Sequence, residues 1–287
     1  MKFDKNLAAI HGYLCGDGYV ITNPKDQKHK YYHIGFRNTN KELLEDFQRK
    51  FQMVFGFKPY ITNEGRCRIQ NKEIYFFLTK KFSYYSYEWQ LPTLSNNNLK
   101  FWLRVFFDCE GWVENQPRKS RLIGLDCCNQ KGLLTVQNAL KKFWIKTQIK
   151  KKVNRTIWRL TICGLDDLNK FQSKVGFLHP EKKLKLNKTI SSYVDYNWKI
   201  LSNKEDLLKL IKEKGKLRKE RSEIRFLSIK KENLQNLKKA LNKHNINSRL
   251  LGPWTSSTCS QYYCLTIKEE HFNERTKNWT SSRNQKN

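Results

Sequence analysis

The sequence predicts an α+β protein that contains an internal duplication and ends in a smaller βαββ unit. Three observations support this prediction: two similar motifs lie 93 residues apart, the same order of elements follows each of them, and the formal net charge is +30. The motifs are LAAIHGYLCGDGYV at 7–20 and FWLRVFFDCEGWV at 101–113. Each is an apolar run that ends in a small residue, an acid and a glycine, and such a repeat indicates a duplicated structural unit.

The two motifs predict a pair of packed helices. Gly12 and Gly16 are four residues apart, which places them on one helix face where a second helix can come close. A glycine such as Gly18 suits the end of a helix, but the helix dipole disfavours an acid there. An ordinary core helix therefore explains Gly18 and leaves the acid unexplained. We interpret Asp17 and Glu110 as two carboxylates that the paired helices deliver to one site, where a cation such as a metal ion stabilises them.

After each motif, apolar periodicity predicts a strand, an amphipathic helix, two strands and a further helix. In the first copy these elements are predicted at 31–38, 40–55, 58–62, 66–70 and 71–82. In the second copy they are predicted at 122–127, 130–144, 147–153, 157–163 and 165–175. The two halves are accordingly assigned to 1–98 and 99–199.

Residues 200–222 are rich in lysine and are predicted to form a basic linker with a short helix at 205–212. A partial third copy without a motif helix is predicted in 223–275, with a strand, a helix and two strands at 224–229, 232–242, 248–251 and 262–267. The polar end, 276–287, is predicted to be frayed. From residue 200 onward, basic residues outnumber acidic ones by 20 to 9, an excess that suits a nucleic acid. We therefore interpret 223–275 as an added DNA-binding unit that lengthens the contacted site, with a packing appendage as the alternative.

The charge indicates a polyanionic partner. The chain has 56 Lys and Arg against 26 Asp and Glu, and most of the excess lies before residue 200. Such an excess repels itself unless a polyanion binds it, so nucleic acid is the expected partner, with a solvated basic surface as the alternative. We find no secretory signal and no apolar run of the ~18 residues that span a membrane, so no membrane partner is expected. Eight scattered cysteines favour reduced thiols and an intracellular location, cytoplasmic or at the nucleoid, with organelle encoding as an alternative.

At IHGYLCGDG (10–18) and LRVFFDCEG (103–111) the chain resembles the two motifs of a single-chain LAGLIDADG homing endonuclease. The resemblance covers roughly residues 7–193. It implies a pseudo-twofold αββαββα-like fold, in which the motif helices meet at the axis and two curved antiparallel sheets form a saddle over duplex DNA. It also implies a monomer that cuts both DNA strands with a divalent metal, usually Mg²⁺, for which Mn²⁺ can substitute.

The resemblance assigns roles to residues of the two motifs. Asp17 and Glu110 match the family's metal-binding acids. Gly16 and Cys109 match residues whose backbone carbonyls also face the metals. Metal ions held by acids can activate a water and stabilise the leaving oxygen without a nucleophilic side chain, so this chemistry agrees with the acids that the residues alone indicate.

Other residue roles that the family resemblance implies predict an asymmetric active site. A lysine near the end of each half often acts beside the metals, and Lys182 or Lys183 fits this role in the second half, whereas 96–98 in the first half lacks a lysine. Val105 stands where the first motif has Gly12 and is expected to widen the helix contact slightly.

A polar residue that orders water is also expected on the first strand of each half. Arg37 or Asn38 occupies that region in the first half, and Cys127 or Cys128 in the second. The cysteines depart from the family pattern and argue against a symmetric water network.

DNA contacts are expected from residues on the concave face of each sheet. Arginine can read guanine edges, and Lys or Arg can hold phosphates. For any single residue the alternative is a solvated surface charge. The candidates are Tyr32, Arg37, Asn38, Arg66, Arg68, Lys150, Lys152, Arg155 and Arg159.

Zinc is not expected. Cys259, Cys264 and His271 form an incomplete pattern, because a structural zinc site needs four ligands. Buried cysteines that act as small apolar residues are favoured instead. His11 lies within the first motif helix, where a packing or surface role is favoured over catalysis.

The predicted function is site-specific double-strand DNA cleavage that promotes intron mobility. Two alternatives are open: an RNA-binding maturase for the host intron, with weak or lost nuclease activity, and an inactive DNA-binding regulator. The presence of both acids argues against the regulator and, more weakly, against the maturase. An intein-embedded form is not expected, because the sequence starts at Met1 and ends in NQKN, without the terminal residues that protein splicing needs.

Overall fold

The computed structural model describes residues 2–24, 26–116, 120–153, 155–193, 198, 200, 203–255 and 261–268. The chain forms two compact units, Met1–Tyr193 and Val194–Asn287. Each unit has its own hydrophobic core. Within the described ranges, no helix combines the length and the apolar character that crossing a bilayer requires.

The first unit consists of two halves with the same order of elements. The first half contains α1 (Lys5–Cys15), β1 (Gly18–Thr22), β2 (Tyr32–Arg37), α2 (Lys41–Phe55), β3 (Tyr60–Ile61), β4 (Arg66–Gln70) and α3 (Lys72–Thr79). The second half contains α4 (Asn96–Glu110), β5 (Gly111–Gln116), β6 (Ser120–Cys127), α5 (Gln130–Lys141), β7 (Gln148–Lys151), β8 (Trp158–Cys163), α6 (Leu165–Lys174) and α7 (Pro180–Ser191). The two sheets are antiparallel and have equivalent strand orders, β1-β2-β4-β3 and β5-β6-β8-β7.

The strand register makes the two halves equivalent residue by residue. Gly18 pairs with Phe36, and Gly111 pairs with Leu125. Four residues after each of these partners, an asparagine side chain caps the middle helix of its half by accepting a backbone N–H. The duplication predicted from the motifs and from the elements after them is therefore confirmed.

The strands directly after the motifs, β1 and β5, are missing from the periodicity-based prediction. They complete the αββαββα order that the family resemblance implies. Both are short and follow their motif helix with almost no loop, so the apolar pattern of the helix runs into the strand. Sequence periodicity cannot separate two elements whose apolar residues are continuous. As a consequence, each motif acid lies at a junction between a helix and a strand.

Helices α1 and α4 pack closely against each other between the halves. A Cβ atom on Gly12 would lie 2.6 Å from Val105 Cγ2 and 2.8 Å from the Trp102 carbonyl oxygen, and one on Gly16 would lie 2.6 Å from Cys109 Cβ. Because native Cβ contacts are not this short, both positions require glycine. Val105 thus fills the space that Gly12 leaves open.

The second unit is a sheet with two helices. Its elements are α8 (Lys204–Lys214), β9 (Lys216–Arg218), a 3₁₀ turn (Lys219–Arg221), β10 (Glu223–Ser228), α9 (Lys231–Lys243), β11 (Ser248–Thr255) and β12 (Gln261–Lys268). The strand order is β9-β10-β12-β11. Leu207 and Ile211 of α8 share a core with Ile224 and Phe226 of β10. This differs from the prediction of a linker at 200–222, because the helix there packs on the sheet. The segment 276–287 lies outside the described residues.

Candidate active site between the motif helices

The two motif acids lie at equivalent positions. Asp17 directly precedes β1, and Glu110 ends α4 directly before β5. The Asp17 carbonyl accepts a hydrogen bond from the Arg37 backbone N–H at 3.1 Å. Gly16 and Cys109 come into contact where the two helices end. The structure therefore brings Asp17 and Glu110 together, close enough for their carboxylates to repel each other.

Both acids are harder to ionise than a carboxyl in water. Burial raises the pKa of Glu110 to about 7; the charge of Asp17 adds to this rise and the Lys182 ammonium opposes it. Burial also raises the pKa of Asp17, while hydrogen bonds from Asn38 and Cys109 counteract the rise. The Asn38 contact joins Nδ2 to Asp17 Oδ2 at 2.9 Å. Two such carboxylates become fully ionised together only with a cation beside them, and their hard oxygen donors suit a divalent ion.

Of the two candidate lysines, Lys182 lies at the site. Its Nζ donates to the carbonyl oxygens of Phe107 (3.4 Å), Asp108 (2.5 Å) and Cys109 (3.3 Å) at the end of α4. Burial lowers the pKa of Lys182, and the negative groups around it oppose this. Lys183 is exposed on the same helix. The structure thus separates two adjacent lysines that the sequence could not distinguish.

Asp108 is a site residue that sequence reasoning missed. It is 1% exposed and accepts hydrogen bonds from the backbone N–H groups of Leu178 (3.1 Å) and His179 (3.0 Å), just before α7 begins. Burial raises its pKa to about 7. Asp108 therefore fastens the start of α7 to α4 and positions Lys182. The available signal was the acid within FFDCEG, where the first motif has Cys15.

The residues beside the two acids differ between the halves. By register, Asn38 in the first half corresponds to Cys127 in the second. Asn38 donates to Asp17, whereas the Cys127 sulfur accepts a backbone N–H from Asn129 at 3.3 Å. The Cys128 thiol donates to the Ser86 carbonyl at 3.3 Å. At these two equivalent positions, therefore, the first half has a polar side chain that binds its motif acid and the second half does not.

The sheet of the first half groups three of its candidate DNA contacts. Arg37 pairs with Arg66, and Arg68 pairs with Gly35, and all three arginines lie on the face away from the core. Tyr32 lies on the opposite face, where its ring contacts Tyr75 and Phe76 of the helical layer (5.2 and 5.4 Å between centroids). The structure therefore does not group Tyr32 with the arginines, because one residue along a strand changes the face.

On the second sheet, an acid that the sequence did not single out organises the candidate cations. Asp126 accepts hydrogen bonds from Arg159 (2.7 and 3.0 Å) and from Lys152 (2.6 Å). The Arg159 guanidinium also lies over the Trp112 ring at 4.8 Å. Lys150 pairs with Arg159 in the register, and Arg155 is exposed in the turn between β7 and β8.

The remaining candidates are placed away from this site or outside the described residues. His11 is fully buried; its Nδ1 accepts a hydrogen bond from Trp102 Nε1 at 3.0 Å, and burial lowers its pKa to about 3. This is a packing role in the helix interface. Cys259 and His271 lie outside the described residues. Cys264 is buried and contacts Arg225 Nε at 3.1 Å.

Glu110→Gln is expected to stabilise the metal-free protein at pH 8. A carboxyl whose pKa rises from 4.5 to about 7 on folding stabilises the folded state fully below pH 4.5, and this stabilisation is lost as pH rises through 7. The pKa shift of Glu110 corresponds to at most roughly 3 kcal/mol in the free energy of unfolding. Thermal unfolding in EDTA should show a higher Tm for the variant at pH 8 and little gain at pH 4.5. Glu45→Gln, at an exposed carboxylate of α2, is the control, and an equal Tm gain at both pH values would contradict the prediction.

Comparisons with known proteins agree with this architecture. Residues 4–101 and 97–176, more than half of the chain, match the family described as LAGLIDADG-like domain. The homing endonuclease I-ApeI of Aeropyrum pernix is 26% identical over 198 residues, which cover 62% of this chain and 86% of that protein. The replication factor C small subunit of Thermococcus kodakarensis is 27% identical over 221 residues, 71% of this chain, and the match spans 24% of that protein's length.

A structure of mesophilic variants of the homing endonuclease I-DmoI is also similar, with a TM-score of 0.48 and 14% identity, over 64% of this chain and 99% of that one. The family match falls once on each half of the first unit, on the segments that carry Asp17 and Glu110. The chain therefore belongs to the LAGLIDADG family and carries two copies of its domain in one polypeptide.

Proposed function

We propose that the protein is a site-specific endonuclease of the homing type, which cuts both strands of a duplex DNA target with a divalent metal. The observation that carries this proposal is the pair Asp17 and Glu110, half-buried together at the ends of two packed helices, each beside a basic sheet. I-ApeI, whose match covers 62% of this chain, is named a homing endonuclease. Intron mobility is the biological role that we propose for the cleavage.

The acid pair fits a divalent metal. Asp17 and Glu110, with the carbonyls of Gly16 and Cys109, would hold it. When bound, such ions supply an activated water and stabilise the charge of the leaving oxygen. Within the described ranges, no three His, Cys, Asp or Glu side chains group to hold a metal. DNA phosphate oxygens would therefore complete the ligand set, and Mg²⁺ is the preferred ion because it accepts water and phosphate oxygens readily.

The chain's own residues add three functions around the reacting phosphates. Asn38 fixes the orientation of the Asp17 carboxylate through its hydrogen bond. Lys182 places a positive charge beside the α4 carbonyls and offsets the two acids. Asp108 holds the helix that carries Lys182. Since the first half has no counterpart of Lys182 or Asp108 among its motif residues, we expect the two strands to be cut at different rates.

The basic open faces of the two sheets support duplex DNA as the substrate. Arg37, Arg66 and Arg68 present guanidinium groups on the first sheet, and Arg159 does so on the second, stacked and hydrogen-bonded in place. Guanidinium groups suit guanine edges or phosphates, and the three arginines of the first sheet can act in this way. The Nε and Nη2 groups of Arg159 are paired with Asp126, so its Nη1 group is the part that can meet DNA. Because many phosphates would be neutralised, affinity should fall steeply as salt increases.

An intron-RNA-binding maturase is the second candidate, and the basic second unit favours it. It differs from the first candidate in one measurable property, since a maturase needs no cleavage of duplex DNA. The presence of both acids in one half-buried pair supports the nuclease.

A cleavage selection on a random-sequence duplex library tests the proposal. The full chain is incubated with the library in Mg²⁺, in Mn²⁺ and in EDTA, and cut ends are sequenced. The expected result is a discrete set of sites, cut on both strands with either metal and uncut in EDTA. Folded, DNA-binding protein that yields no cut ends in either metal would overturn the nuclease.

A further inference from the structure

The second unit repeats the architecture of each half. Its strand order, β9-β10-β12-β11, is the same as β1-β2-β4-β3 and β5-β6-β8-β7. Helix α9 lies between the second and third strands, as α2 and α5 do. Phe226 stands four residues before the cap of α9 at Lys230, as Phe36 and Leu125 do before their asparagine caps.

Helix α8 occupies the place of a motif helix. Gly215 follows it directly and donates its backbone N–H to the Ile211 carbonyl at 2.8 Å, as Gly111 does to Phe107. A Cβ on Gly215 would lie 2.5 Å from the Ile211 carbonyl oxygen, and one on Gly111 would lie 2.6 Å from that of Phe107. Gly215 is thus the motif glycine of a third copy, and α8 is the motif helix that the periodicity-based prediction left out.

The third copy lacks the features that build the active site. Counted back from Gly215, Lys214 stands where Asp17 and Glu110 stand. Lys209 and Glu213 stand at the positions of Gly12 and Gly16, and both are exposed. Long charged side chains at these positions prevent the close helix approach that α1 and α4 make. Neither the acid nor the helix pair is retained, so the open sheet face is the remaining candidate for a function.

That open face carries a line of cations across the sheet. The helices cover one face, where Ile224 and Phe226 are buried. On the other face the register pairs Lys216 with Arg225, Arg225 with Thr266, and Thr266 with Arg249. We call Lys216, Arg225 and Arg249 the cationic row. With neighbouring strands ~4.8 Å apart, the row extends ~14 Å.

The rest of this face does not neutralise the cationic row. Of the described residues there, Glu223 is the acid, and it pairs with Arg218 at 3.7 Å. The equivalent row of the first sheet is Tyr19, Gly35, Arg68 and Tyr60, which includes one cation. The open face of the third copy is therefore richer in cations at this row than the sheet beside Asp17.

We propose that the second unit is a third copy of the LAGLIDADG unit that lacks the motif acid, and that its cationic row binds the phosphate backbone of duplex DNA. The proposal rests on the proposed function in one respect: it assumes that the open sheet faces of this fold are the faces that bind DNA. Single-stranded RNA is the competing partner, because its recognition uses open aromatic platforms. Trp254 on this face is 39% exposed, with the Arg225 guanidinium at 5.9 Å and the Tyr262 ring at 5.8 Å from its own ring. The row of three cations favours a phosphate backbone, and comparing duplex DNA with single-stranded RNA distinguishes the two partners.

A pair of charge-matched double variants of the full chain tests the proposal. One is Lys216→Ala with Arg249→Ala, both exposed in the cationic row. The control is Lys239→Ala with Lys243→Ala, both exposed on α9 on the other side of the sheet. Fluorescence anisotropy measures binding to a random-sequence 40-bp duplex and to a single-stranded RNA of equal length, in EDTA and over a range of salt.

The cationic-row variant is expected to bind the duplex roughly tenfold more weakly than the unaltered chain, with a salt slope shallower by about 2, because two phosphate contacts are lost. The control variant should change the slope by less than half as much. If both variants weakened duplex binding equally, the effect would come from the overall charge of the protein and not from the cationic row, and the proposal would be overturned. Loss confined to RNA would replace duplex DNA with RNA as the partner. The experiment measures binding and requires no cleavage. A negative result for the cationic row can therefore be distinguished from a failure of the proposed nuclease activity.

Discussion

Asp17→Asn is expected to lower the Mg²⁺-dependent cleavage rate by at least ~10³-fold, and Glu110→Gln to do the same. An amide carries no negative charge and holds a divalent ion far less well than a carboxylate. The two acids interact directly, so loss of either should slow the cutting of both strands. Single-turnover cleavage of a selected target, with each strand labelled separately, measures both rates.

DNA binding should survive these substitutions, since the acids oppose a polyanion rather than attract it. Affinity in EDTA is expected to stay within about threefold of the unaltered chain or to improve. Glu45→Gln is the matched control: it also removes one carboxylate, from the exposed face of α2, where the partner is Lys41 at 3.5 Å. Undiminished cutting by either active-site variant would refute the shared site.

Lys182→Met is expected to reduce cleavage by about 10²-fold, because it removes the ammonium that offsets the two half-buried carboxylates, Asp17 and Glu110, beside the reacting phosphates. Methionine has a similar shape and leaves the packing of α7 largely intact. The strand whose cut depends more on the second half should be affected more. Strand-resolved single-turnover rates at saturating DNA measure this difference.

Lys183→Met serves as the control for this prediction. It removes the same charge from the next residue of α7, which is exposed and makes no contact with the α4 carbonyls in the structure. Its cleavage rate should stay within about twofold. An equal loss in both variants would attribute the effect to DNA attraction by α7 in general. A normal rate in Lys182→Met would remove the ammonium from the mechanism.

The sequence was sufficient to predict the duplication and the acid pair. Two glycine–acid motifs at matched positions leave few alternatives, since an acid at a helix end needs a compensating cation. The short strands β1 and β5 were not predictable from periodicity, because they continue the apolar pattern of the motif helices. Helix α8 was read as part of a linker, because its lysines conceal the apolar side that packs on β10.

Which individual residues surround the two acids depends on distances between segments that are far apart in the sequence, and local sequence patterns do not predict these distances. The sequence does not distinguish Lys182 from Lys183, since both are lysines on the same helix. The hydrogen bonds from His179 and Lys182 to Asp108 determine that Lys182 is the one that faces the acids.

Asp126 was not predicted as a site residue, because a carboxylate among candidate DNA contacts is unfavourable unless cations pair with it, and its two partners are known only from the structure. Tyr32 was grouped with the wrong face although its strand was predicted within one residue of each end. Tyr32 and Arg37 are five residues apart, and strand alternation therefore places them on opposite faces.

The glycine contacts of the central helices also determine which domains can associate. Gly12 and Gly16 provide hollows on α1, and Val105 and Cys109 of α4 fill them. Two copies of α4 would set valine against valine and cysteine against cysteine at a spacing that leaves no room for either. The second half is thus shaped for the glycine face of the first half and not for a copy of itself, which disfavours homodimers of the second half.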